Sequence, residues 1–308
     1  MLKKLIVVSG PTASGKSELA VKLALRLGSG QAKKEFRIKG AEIISADSRQ
    51  VYKGMDIGTG KITKKEMKGI PHYLLDVVSP KRRFTVAQYR KLALKAINKI
   101  FKRWKIPILC GGTGFYIQAV VDGILIPEVP PDWKLRKKLE KKSTTELYQI
   151  LKKLDPRRAK IIEKKNPRRL IRAIEIILKT KKPVPALKKN PLPYPVLMLG
   201  IKKEKKELSS LIRKRLLRRL KRGMIAEVKK LKKSGLSWKR LEEFGLEYRY
   251  IAKYLQGKLN YDEMVKNLQK ETEHFAKRQM TWFKRDKRII WVKTYKKAEK
   301  LVNKFLKK

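Results

Sequence analysis

Over the first 125 residues, apolar positions fall into two alternating patterns. Short, mostly apolar runs lie at 4–9, 42–46, 73–78 and 106–110, and runs of that length bounded by glycine or polar residues read as strands. Between them, 16–27 and 85–104 carry apolar residues three and four apart, with Leu19, Leu23 and Leu27 on one face of the first, which predicts helices. Such alternation predicts βαβ units and a parallel sheet whose functional edge lies at the strand C-termini. The segment 29–40 interrupts an otherwise tight helix-to-strand step and reads as a surface insertion.

The pattern changes at Pro127. Pro127, Pro130 and Pro131 mark a hinge, very basic helical sequence follows to about 180, and a second proline cluster at 183–195 closes it. The predicted organisation is an α/β core at 1–125, an inserted and mostly helical lobe at 126–195, and a return to the core at 196–308. The return opens on a strand at 196–201. From 204 to 233, Leu208, Leu211, Ile212, Leu216, Leu220, Met224, Val228 and Leu231 keep helical spacing, with Arg and Lys opposite. A helix at 261–284, a short strand at 289–292 and a basic terminal helix follow, and there is no internal repeat.

Charge adds a partner class. Lys and Arg number 81 against 27 Asp and Glu, a net charge of +54. An excess of that size attracts polyanions and says nothing about fold; nucleic acid is the first expectation and an anionic membrane surface the second. A general lysine bias in composition gives the same number. One cysteine, Cys110, and two histidines, His72 and His274, exclude a disulfide framework and a cysteine-rich zinc site. The apolar run after Lys4 is too short for a secretory leader, and no segment has the length of a membrane span, so a soluble cytoplasmic protein is expected.

The chemistry lies at the strand ends. Residues 10–17 read GPTASGKS, the spacing of a phosphate-binding loop, between a strand and a helix. In that setting Gly10, Pro11, Thr12, Ala13, Ser14 and Gly15 wrap an anion at the positive end of the helix, Lys16 reaches a terminal phosphate and Ser17 ligates Mg²⁺. The plainer alternative is a glycine turn that caps a core helix. The second strand ends in Asp47, Ser48, Arg49 and Gln50, the third runs into Asp76, and the fourth into a glycine turn presenting Thr113. Asp47 suits a general base, with a helix cap as the alternative. Asp76 suits a metal ligand or a turn, and Thr113 an orienting hydroxyl or a structural one.

These segments together resemble the tRNA dimethylallyltransferases over most of the chain. The resemblance rests on GPTASGKS at 10–17, IISADSRQVYKGMDIGTGK at 43–61, GIPHYLLDVVSP at 69–80 and FTVAQYR at 84–90. It continues through ILCGGTGFYIQAVVDGI at 108–124, NPRRLIRAIEI at 166–176 and AKRQMTWFKRD at 276–286. It implies a P-loop NTPase-like parallel sheet, nucleotide-binding in type, and transfer of a dimethylallyl group from dimethylallyl diphosphate to N6 of the adenine beside the tRNA anticodon. It further implies that Asp47 is the base, that Thr113 orients the amine or touches the bridging oxygen, and that Lys16, Ser17, Mg²⁺ and Arg215 hold the diphosphate. Asp47, Ser48, Arg49, Gln50 and Thr113 then meet the reacting base. Arg168, Arg169, Leu170, Ile171 and Arg172 grip the anticodon stem-loop, and the segment 244–250 also meets RNA. A monomer is expected. Leu211, Tyr73 and Glu273 stand where the family has arginine, histidine and arginine. A P-loop small-molecule kinase and a non-catalytic RNA-binding NTPase are the competing readings.

Overall fold

The computed structural model describes residues 2–125, 127, 129–186 and 188–307. Residue 126, the expected start of the lobe, and residue 187, inside the second proline cluster, lie outside the described residues. In chain order the elements are β1 (Leu5–Ser9), α1 (Lys16–Leu27), α2 (Gly30–Phe36), β2 (Ala41–Ser45), α3 (Lys64–Met67), β3 (His72–Tyr73), α4 (Val86–Lys102), β4 (Ile106–Gly111) and α5 (Gly114–Val121). Then come α6 (Trp133–Leu139), α7 (Thr144–Leu154), α8 (Pro156–Ile161), α9 (Pro167–Thr180), β5 (Val196–Ile201), α10 (Lys205–Lys221), α11 (Met224–Lys233) and α12 (Trp238–Glu243). The last are α13 (Leu246–Leu255), α14 (Tyr261–Lys284), β6 (Ile289–Val292) and α15 (Tyr295–Lys307).

The strands form one parallel sheet in the order β3-β2-β4-β1-β5-β6. β1, β2 and β4 are buried along their whole length, because alternate side chains enter different layers. Ile6, Val8, Ile43 and Ile108 pack with Leu19, Leu23 and Leu27 of α1 and with α15. Leu5, Val7, Ile44 and Leu109 pack on the opposite face with Tyr89, Ile97 and Ile100 of α4. A third apolar cluster joins Val51, Tyr52 and Met55 to helices α10–α14.

Two expectations need correction. The segment 29–40 is not a surface insertion: Ser29 caps α2, and Ala32, Phe36 and Ile38 are buried in the α1 layer. Of the expected strand at 73–78 only Tyr73 lies in β3, His72–Tyr73, because Leu74 and Asp76 take left-handed φ of 63° and 55° and break the extended run. In addition, the long helical pattern at 204–233 divides into α10 and α11 at Arg222 and Gly223.

Chain contacts separate residues 123–190 from the rest. This unit contains α6–α9 around Leu147, Leu151, Leu170 and Ile174, with an antiparallel bridge between Ile124 and Lys189. Glu175 is fully buried in it and accepts from the Asp132 amide at 2.7 Å, from Arg136 Nε and Nη2 at 2.8 and 2.6 Å, and from Arg172. Burial pushes its pKa up, but the hydrogen bonds from Arg136, Asp132 and Arg172 outweigh it and hold the carboxyl below its usual range.

Candidate active site

Register brings the site together. Ser45 pairs with Cys110, Cys110 with Val8, and Gly111 with Ser9. Three neighbouring strands therefore end level, and the residues that follow each of them are the phosphate loop, Asp47 and the Gly112–Thr113 turn.

The loop is shaped for an anion. Gly15, at φ 87°, is the left-handed N-cap of α1, and Ala13 is left-handed as well. The Ser14 amide donates to Pro11 O at 3.3 Å and its side chain is buried. Lys16 Nζ donates to Pro11 O at 3.2 Å, and Arg215 from α10 donates to Thr12 Oγ1. Both cations thus rest on the loop itself. Burial lowers the Lys16 pKa, with Arg215 acting in the same direction and Cys110 and Asp47 against it. Burial, reinforced by Arg219, brings Arg215 down to about 9. Two cations disfavoured by each other and by desolvation are stabilised by a polyanion placed between them.

Asp47 precedes a turn and not a helix, so the expected helix cap is replaced by closure of a turn. Oδ1 accepts from the amides of Arg49 at 2.8 Å and Gln50 at 3.3 Å, a tight side-chain turn. Its charge is nevertheless felt by Lys16 and Arg215. Thr113 is tied to the same segment: its amide donates to Ala46 O at 3.1 Å, and its Oγ1 accepts from the Ser48 amide at 3.0 Å. Tyr89 supports the strand end from beneath, donating to Ser45 O at 2.9 Å and stacking on Tyr116 at 3.8 Å. Gln50 donates to Gly60 O at 3.2 Å and accepts from Ser45 Oγ at 3.3 Å, and Arg49 lies 6.0 Å from the Phe244 ring.

Other sequence-predicted residues are placed differently. Asp76 follows β3, two strands beyond β4 and β1's shared edge, and pairs with Lys61 Nζ at 2.5 Å. The Asp76 amide donates to Gln50 O at 3.2 Å, which ties it to the segment after Asp47. Ser17 is exposed and its hydroxyl lies beside the Cys110 thiol, which burial pushes up to about 11. No group of three or more His, Cys, Asp or Glu side chains suited to a metal occurs among the described residues. The exposed Ser17 hydroxyl in the first turn of α1 is an oxygen donor of the kind that a hard divalent cation takes. In the 123–190 unit, Leu170 and Ile171 are core residues and Arg172 is turned onto Glu175 and the carbonyls of Pro127 and Val129. Arg168 and Arg169 have exposed side chains, Arg169 pairing with Glu163 at 3.2 Å.

Three residues that brace the segments around the candidate site escaped the sequence reading. Glu227 of α11 accepts from the amides of Asp56, Ile57 and Gly58 at 2.7–3.0 Å and from Tyr248. Arg219 donates to Gly58 O at 3.2 Å. Together they hold the loop that receives Gln50. The third, Gln279, is a polar residue on the buried stripe Met264, Leu268, Thr272, Ala276 and Phe283 of α14. Its position on that stripe was the available signal.

A six-stranded parallel sheet with a phosphate-loop sequence after β1, and with Asp47 and Thr113 after the two strands beside it, defines a mixed α/β protein with a P-loop-like core. The sequence model of the IPP transferase family matches residues 50–286, and the chain belongs to that family. It is 40% identical over 299 residues to the tRNA dimethylallyltransferase of Acetivibrio thermocellus, covering 94% of this chain and 92% of that protein. The structure is similar to the full-length tRNA isopentenylpyrophosphate transferase of Bacillus halodurans, with a TM-score of 0.71 and 34% identity over 99% of this chain and 96% of that one. It is also similar to a eukaryotic dimethylallyltransferase acting on tRNA, with a TM-score of 0.72 and 26% identity, covering 91% of this chain and 69% of that one. Among the described residues, no helix is long and apolar enough to cross a membrane.

Proposed function

We propose that this protein transfers a dimethylallyl group from dimethylallyl diphosphate to N6 of the adenine 3′ to the anticodon of tRNA. The observation that carries the reading is the level ending of β1, β2 and β4, which sets a phosphate loop next to Asp47 and Thr113. The adenine amine attacks C1 of the donor, the C1–O bond breaks, diphosphate leaves and the amine proton passes to Asp47. An adenine amine is a weak nucleophile, so a carboxylate held by two backbone amides within range of its proton lowers the barrier. Thr113, fixed against Ser48, orients the amine. Lys16 and Arg215 stabilise the charge that grows on the departing oxygens. Ser17 would hold a divalent cation such as Mg²⁺, which would supply charge neutralisation at the diphosphate. No phosphoryl group moves, and the loop acts as an anion clamp.

The adenine must leave its stack to reach the strand ends, which suits a single-stranded anticodon loop. Arg168 and Arg169 in the 123–190 unit and the overall +54 supply phosphate contacts. The test is incubation with Mg²⁺, labelled dimethylallyl diphosphate and an anticodon stem-loop, with ATP in parallel. Label in the RNA supports the transferase. No label, together with phosphoryl transfer from ATP, supports a kinase using the same loop.

A further inference from the structure

Gln279 is 8% exposed, and both ends of its carboxamide are used. Oε1 accepts from the Thr12 amide in the phosphate loop at 2.8 Å, and Nε2 donates to Gly112 O at 2.7 Å. The opposite amide orientation would set NH₂ against an N–H and oxygen against a carbonyl, so the bridge fixes its own sense. One residue after Gly112, Thr113 holds Ala46 and Ser48 on either side of Asp47. A continuous hydrogen-bonded path thus runs from Thr12 through Gln279 and the glycine turn to the acceptor end of β2. Packing follows the same line: a Cβ at Gly112 would come within 2.5 Å of Gln279 Nε2, so a larger residue there would displace the Gln279 carboxamide. One turn further along α14, Trp282 meets Phe115 edge-on at 6.4 Å.

Arg215 and Lys16 also rest on this loop, through Thr12 Oγ1 and Pro11 O. An anion that draws them off repositions Thr12, and Gln279 is the side chain that passes the movement to the acceptor turn. Resting on the transferase reading above, we infer that Gln279 is a positioning residue that couples diphosphate binding in the phosphate loop to acceptor binding at Asp47 and Thr113. Coupling of this kind is reciprocal, and where two sites share a packed hydrogen-bonded link it commonly amounts to about 5–150-fold in affinity.

The experiment measures the affinity of an anticodon stem-loop with and without inorganic diphosphate and Mg²⁺, for wild type, Gln279→Glu and Gln279→Leu. Glu keeps the acceptor for Thr12 and loses the donor to Gly112; Leu removes both, and each variant is first checked for a cooperative unfolding transition. Wild type should bind RNA at least about 5-fold more tightly when diphosphate is present. In both variants the ratio should fall towards one, whatever happens to the separate affinities. A side chain that only stabilises the fold would lower both affinities and leave the ratio unchanged, and that result overturns the inference. Independent binding of the two ligands to wild type also overturns it while leaving the transferase reading intact. Failure of wild type to bind either ligand defeats the transferase reading, and the inference with it.

Discussion

Asp47→Asn separates the turn that Asp47 makes from the general-base role proposed for it. Its Oδ1 holds the amides of Arg49 and Gln50, and an asparagine oxygen in the same place keeps both bonds, so the turn survives. The basic carboxylate is lost. A positioned general base contributes about 10²–10⁴-fold in rate, which at 1.36 kcal/mol per tenfold is about 3–5 kcal/mol of barrier. Asp47→Ala removes the turn as well, and losing such a side-chain cap costs about 1 kcal/mol of stability. The assay is single-turnover transfer of labelled dimethylallyl to a stem-loop, run alongside urea unfolding and RNA binding. Asp47→Asn should be at least about 100-fold slower, with stability and RNA affinity close to wild type. Asp47→Ala should be as slow and about 1 kcal/mol less stable. If Asp47→Asn transfers at near wild-type rate while Asp47→Ala fails, the residue serves as a turn and the proton goes elsewhere.

Further outcomes follow from other contacts. Arg215 donates to Thr12 Oγ1 in the phosphate loop, and under the proposed function its charge helps to hold the diphosphate. Arg215→Gln should therefore bind inorganic diphosphate more weakly in calorimetric titration at neutral pH, and an affinity equal to wild type would refute this. Glu175→Ala leaves Arg136 and Arg172 without their buried carboxylate. Breaking such a pair costs about 3–5 kcal/mol when fully buried, and the partial exposure of both arginines brings the expected loss in urea unfolding to about 2–3 kcal/mol. Because the folded pKa of Glu175 is lowered, its contribution is present above the unfolded carboxyl pKa and is lost as pH falls through the folded one; a loss indistinguishable from zero would refute the buried network. Phe36→Ala should destabilise by about 3–5 kcal/mol, whereas a surface insertion would lose almost nothing in the same measurement.

Much of the core was legible because β1, β2 and β4 are buried on both faces and read as mostly apolar runs. Their motifs converge because parallel strands in register end at one edge, which the βαβ alternation already implied. The segment 29–40 misled because Ala32, Phe36 and Ile38 are scattered among basic residues, and a seven-residue helix gives too few turns for a clear stripe. At Arg172 the i, i+4 spacing from Arg168 suggested a shared RNA-facing side. That spacing carries no information about Glu175, a buried charge that claims one of the two arginines. Gln279 was hidden for a related reason: its partners are backbone atoms more than 160 residues away in sequence, and no local pattern reports them.

The sheet's order also dictates when the protein can fold. β1 lies between β4 and β5, so one of its edges stays open until residues 196–201 are made. At a synthesis rate of about 5–20 residues per second, the nearly 190 intervening residues mean a delay of about 10–40 s. During that delay the open edge of β1 offers unpaired backbone to any passing strand. The 123–190 unit has no such dependence, since its helices and the Ile124–Lys189 bridge draw on one continuous stretch of chain. A ribosome carrying this protein thus displays a segment able to close on itself while half of an older sheet still waits, and the core is the part that a chaperone would need to shield.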